Sequence, residues 1–184
     1  MSHANLFGVV MYALVMLASL HTAFDVGIHR DRKARFWFGG ALFFAVLALI
    51  RLLDVEESSR DFLRKVFRVN ALYDGRSSVQ VPLVLAIALF ASLIALLMRR
   101  RWNAIAKDPL SRTRFIASAA MLAFLPLYAL RLVSLHDVDK VLYSGGILRP
   151  NWLLDIGLSL TVAGAAFAYR RAYRKARSVP RTID

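Results

Sequence analysis

Apolar residues fall along this chain in five long runs separated by short charged blocks, at about residues 6–24, 36–53, 81–98, 115–135 and 152–169. At roughly 1.5 Å of rise per residue, helices of this length match a hydrocarbon core about 30 Å thick. The pattern predicts an all-α integral membrane protein, one domain over residues 1–184, with five transmembrane helices in a bundle. Met1 to Asn5 carry no lysine or arginine. A cleaved leader wants a basic start and a shorter apolar core, so the first run reads as a retained span.

The charged blocks give a direction. Arg30, Arg32, Lys33 and Arg35 fall between runs one and two; Arg99, Arg100, Arg101, Lys107, Arg112 and Arg114 between three and four; Arg170, Arg171, Arg174, Lys175, Arg177 and Arg181 after the fifth. The alternate loops are nearly neutral, with Arg60, Arg64, Lys65, Arg68, Arg76, Lys140 and Arg149 set against Asp54, Glu56, Glu57, Asp61, Asp74, Asp137 and Asp139. The basic side is expected in the cytoplasm, with the N-terminus outside and the C-terminus inside. The expected location is a bacterial inner membrane.

Between runs two and three, Ser58 and Asp61 resemble a helix start. Phe62, Val66, Val69 and Tyr73 recur at helical spacing before the turn signal Asp74-Gly75, which predicts an amphipathic helix on the outer face. A weak repeat pairs Leu49-Ile-Arg51-Leu-Leu-Asp54 with Ala129-Leu-Arg131-Leu-Val-Ser134. On that view runs two to five form two duplicated hairpins, with the first run added. Ala41, Ala45 and Ala48 on run two, and Gly157, Thr161 and Ala165 on run five, are spaced for close helix packing. Pro126 predicts a kink before Arg131.

Composition agrees with the pattern. The chain is 58% hydrophobic, with a mean hydropathy of +0.51. Its net charge of +13 would suit nucleic acid, but the blocks between apolar runs are a membrane distribution, so no nucleic-acid partner is expected. Cysteine is absent, which excludes disulfides and thiolate metal sites. No histidine pair has helical metal-ligand spacing, and His21 and His136 lie roughly a bilayer apart, which rules out haem ligation between them; no metal or other cofactor is expected. Trp37, Trp152, Tyr12 and Tyr143 invite a cofactor reading, but three of the four sit near predicted interfaces, where aromatic anchors are common.

The chemistry concentrates at the predicted outer end. Arg131, Ser134 and Asp137 share a face if the fourth helix continues, as do Asn151, Asp155 and Ser159 on the fifth. Arg51 and Asp54 lie at the matching depth of run two. Tyr73, Arg76 and Gln80 stand at the entrance to run three, with His136, Asp139 and Trp152 beside the cluster. Three readings follow. The arginines pair with Asp54, Asp137 and Asp155 and lock helix ends together. Alternatively, Arg51, Asp54, Tyr73, Arg76, Gln80, Arg131, Asp139, Asn151, Trp152 and Asp155 form a binding site for an anionic group. In the third, His136, Ser134 and Asp137 supply base, nucleophile and orienting group. Alkaline-ceramidase-like hydrolases also combine Ser, His and Asp at a membrane face, but this chain lacks their seven spans and multiple histidines.

Leu53-Asp54, Tyr73, Arg76 and Gln80, Arg131-Leu-Val-Ser134-Leu-His136-Asp-Val-Asp139 and Asn151-Trp152-Leu-Leu-Asp155 together resemble a group of small bacterial multi-pass inner-membrane proteins of unknown function. The likeness covers most of Phe36 to Gly157. It departs at Leu72, where the group has tryptophan, and at Ser77, where it has a second arginine. The resemblance implies an inner-membrane protein and carries no activity. The leading expectation is an accessory subunit of a larger membrane complex, or a binding protein, whose outer-leaflet site takes an anionic headgroup or a partner protein. Membrane lipids are expected partners either way. The alternative is a small membrane hydrolase or transferase acting on a lipid or isoprenoid phosphate, with Arg51 and Arg131 as clamps and His136 as base.

Overall fold

The computed structural model describes residues 3–27, 32–55, 58–59, 76–105, 108–132 and 150–178, with the backbone alone at 3–4, 32–33, 76–81, 83–84, 103–104, 130–132 and 150–151. Five helices account for nearly all of these: α1 His3–Val26, α2 Arg32–Leu52, α3 Arg76–Ile105, α4 Pro109–Leu132 and α5 Pro150–Ser178. No strand occurs among the described residues. Three helical segments, Asn5–Val26, Ala34–Leu52 and Trp152–Ser178, are long and apolar enough to cross a membrane. The apolar runs expected at 81–98 and 115–135 fall on α3 and α4, the last three residues of the second lying outside the described residues. Most of the amphipathic helix expected after Ser58 also lies outside them.

The helix ends have local causes. Gly27 closes α1 at φ 90°, a conformation glycine adopts without strain, and its amide bonds the carbonyl of Phe24 at 3.0 Å. Asp108 caps α4: its carboxylate accepts the amides of Leu110 at 3.2 Å and Ser111 at 3.1 Å, with Pro109 at the first helical position. At its other end α5 runs beyond the expected apolar stretch to Ser178, because the Arg-, Ala- and Lys-rich tail has high helix propensity.

Successive helices alternate in direction. Arg51 near the end of α2 lies against Gly8 near the start of α1, so α1 and α2 are antiparallel. Tyr12–Asp155 at one end and Asp25–Arg170 at the other make α1 and α5 parallel. Trp102 of α3 packs on Phe115 of α4, the end of one against the start of the next. The arginine blocks on α3, α4 and α5 therefore gather at one end of the bundle.

None of the described side chains of α3 is buried, but the other four helices each bury a narrow stripe at steps of three and four. On α1 it is Gly8, Tyr12, Val15, Ser19, Ala23 and Val26; on α2, Ala34, Trp37, Ala41, Phe44 and Leu47; on α4, Ala117, Ala120, Phe124 and Leu127; on α5, Asp155, Ser159, Val162, Ala166 and Tyr169. Outside lie Leu6, Leu14 and Leu17 of α1, Leu42 and Leu49 of α2, and Leu160 and Phe167 of α5, each half-exposed or more. Apolar side chains thus face outward while Asp155, Ser159, Ser19 and Thr22 are buried, an arrangement suited to hydrocarbon.

Three expectations need correction. The first helix is not peripheral to the others: among the described residues α1 packs on both α2 and α5, and Tyr12 also meets Phe124 of α4. Gly157 and Thr161 do not line the packing face of α5 but are exposed, because the stripe follows Asp155 and Ser159. Trp37, expected near an interface, is a core residue, and so is Tyr12. Tyr12 packs on Phe44 and Phe124, and Trp37 on Phe36 and Tyr169.

Candidate functional site

Asp155 lies in the second turn of α5 with 3% of its surface exposed, deep enough that an uncompensated charge would be prohibitive. Two groups compensate it. The Arg51 Nη2 of α2 donates to Oδ2 at 2.5 Å, and the Tyr12 hydroxyl of α1 donates to Oδ1 at 2.5 Å. Each carboxylate oxygen therefore has a strong donor from a different helix. The Arg51 guanidinium also lies over the Tyr12 ring, 5.6 Å from its centroid, in reach of the negative ring face. One carboxylate ties α1, α2 and α5 together.

Arg51 reaches Asp155 by crossing the α1 backbone at Gly8. A Cβ at residue 8 would lie 2.9 Å from Arg51 Cδ and 3.0 Å from its Cζ and Nε. Glycine at position 8 leaves that room to the arginine side chain. Beyond it, Phe7 and Trp152 stack with centroids 6.1 Å apart and planes 9° apart. Phe7, Gly8, Met11, Arg51, Trp152, Asp155 and Ile156 line a crevice of about 10 Å³, the size of one water and too small for a phosphate headgroup.

Asp54 takes a separate partner. It follows α2 in a left-handed conformation, φ 47°, which aspartate tolerates better than most residues. There its Oδ1 accepts the side-chain amide of Asn5 at 2.5 Å, so α1 and the end of α2 are joined a second time.

Of the residues expected at the site, Arg51, Asp155 and Trp152 come together, and Asp54 lies just beyond the end of α2. Arg76 opens α3, Gln80 is one turn on, Arg131 is the penultimate residue of α4 and Asn151 the second of α5. The helix directions put all four at the same end of the bundle as Arg51. Tyr73, Ser134, His136, Asp137 and Asp139 lie outside the described residues. Gly8 and Tyr12 belong to the cluster, and Asn5 to the neighbouring Asp54 contact; none of the three was expected there. For Gly8 and Tyr12 the signal was a glycine and a tyrosine four residues apart in an apolar run, with Ser19 further along the same face.

At the opposite end Asp25 forms a second junction. It pairs with Arg170 and, at 3.0 Å, with Arg174, while His21 lies 3.9 Å away. Tyr173 donates to the carbonyl of Val26 at 3.3 Å. The parallel pair α1 and α5 is thus fastened at both ends. No group of histidines and acids among the described residues is arranged to hold a metal ion.

Fold and cluster together define a helical bundle with three membrane-length helices cross-linked by a buried ion pair. No protein-family model, curated protein or solved structure matches the chain.

Proposed function

We propose that the protein acts by binding, as an accessory subunit of a larger membrane assembly in a bacterial inner membrane, with its arginine-rich end in the cytoplasm. The observation that carries this reading is α3. It is a 30-residue helix whose one substantial neighbour among the described residues is α4, and Leu85, Leu89, Phe90, Leu93, Leu96 and Leu97 are all about half-exposed or more. A helix this lightly packed has lateral surface to offer another transmembrane helix. Arg51 argues in the same direction. As a phosphate clamp it would have to be available, yet its guanidinium is held by Asp155 under the Phe7–Trp152 stack. That weakens the reading as an enzyme on lipid phosphates and favours a lock.

A photo-crosslinking residue at position 93 of α3, compared with position 14 of α1, tests the proposal in native membranes. The expected result is a discrete protein adduct from position 93 and lipid adducts from position 14. Lipid adducts alone from both positions would overturn the subunit reading.

A further inference from the structure

The arginine-rich end has a feature that neither the bundle nor the subunit reading uses. Where α3 ends against the start of α4, Met98, Arg99, Trp102 and Phe115 line an open groove of about 420 Å³. Arg99 lines the groove beside Trp102, and Arg112 of α4 lies over the Trp102 ring, 5.6 Å from its centroid, so arginines of two helices flank this end of α3. Among the described residues no carboxylate pairs with Arg99, Arg100, Arg101 or Arg112.

We propose that this groove binds an anionic phospholipid, its phosphate between Arg99 and Arg112 and its first acyl carbons along Met98 and Phe115. Three observations select that ligand. The groove has an apolar wall and a cationic wall side by side, which suits a molecule whose charge adjoins hydrocarbon. The exposed apolar surface of α3, from Leu85 to Leu97, runs directly into Met98 and stops at Arg99, so the groove stands at the depth of a headgroup. Trp102 is at the same level, with the amphipathic ring that interfaces favour. Because no described carboxylate neutralises the arginines, a lipid with net negative charge fits better than a zwitterionic one. The other basic crevice, lined by Phe167, Arg170, Arg171 and Arg174 on α5, is smaller, about 240 Å³, and two of its arginines are already held by Asp25.

The test uses the full chain in phosphatidylcholine nanodiscs carrying a brominated lipid, with Trp102 emission isolated by subtracting the Trp102→Phe protein. Brominated phosphatidylglycerol should quench Trp102 at a roughly 25-fold lower mole fraction than brominated phosphatidylcholine. Arg99→Gln with Arg112→Gln should abolish the preference, each arginine contributing about fivefold, whereas lysine at both positions should keep most of it. Arg171→Gln on α5 should leave it unchanged. Equal quenching by the two lipids, or a preference that survives the double glutamine variant, would overturn the proposal. Displacement of brominated phosphatidylglycerol by millimolar inorganic phosphate would also overturn it, by assigning the groove to a soluble anion. None of these outcomes depends on whether α3 has a protein partner.

Discussion

Gly8 and Arg51 fit together because residue 8 has no side chain: a Cβ there would lie 2.9 Å from Arg51 Cδ. The absence of one carbon on α1 lets an arginine from α2 reach a carboxylate on α5. Gly8→Ala should therefore disturb a contact two helices away. Helix propensity alone would favour alanine by about 0.5–1 kcal/mol, but overpacking costs about 1–3 kcal/mol, so a net loss is expected. Equilibrium unfolding in mixed detergent micelles reads it. In an Arg51→Ala background the clash is gone, and the same substitution should become stabilising.

Tyr12 separates hydrogen bonding from packing. Tyr12→Phe removes one bond to a charged acceptor, about 1.5–3 kcal/mol, and keeps the ring on Phe44 and Phe124. Tyr12→Ala also opens a cavity and should cost about 3–5 kcal/mol. The two variants should differ clearly in unfolding midpoint at constant slope.

Part of this arrangement is legible in the amino-acid sequence. Charged residues inside apolar runs are conspicuous, which is why Arg51 and Asp155 stand out from sequence alone. Their partners are harder to find. Gly8 and Tyr12 lie in a run that spacing alone assigns to the membrane, and nothing local says that α1 packs against α5. That contact joins segments more than 120 residues apart. The small-residue rule misplaced the α5 face for a related reason. Gly157 and Thr161 have the right spacing, but burying Asp155 beside Arg51 and Tyr12 sets the rotation of the helix instead.

The two ion-pair junctions should respond differently to substitution. Asp25 and its arginines are partly solvated, with Arg174 62% exposed, so Asp25→Asn should cost about 0–1 kcal/mol, and less at high salt. Asp155→Asn strands Arg51 at 9% side-chain exposure and should cost about 3–5 kcal/mol with little salt dependence. Parallel unfolding series at low and high ionic strength distinguish them.

Whether the buried network is a lock or part of a binding surface is decided by replacing it whole. Arg51→Met, Asp155→Leu and Tyr12→Phe together remove both charges and the hydroxyl that would otherwise lose its acceptor. Apolar replacement of a complete buried pair is commonly neutral or stabilising, whereas removal of one member is not. The decisive measurement is protein crosslinking from position 93 in this triple variant. A folded variant that still yields the protein adduct is the predicted result. A variant that folds with normal stability but loses the adduct would contradict it, because the network would then belong to the binding surface itself.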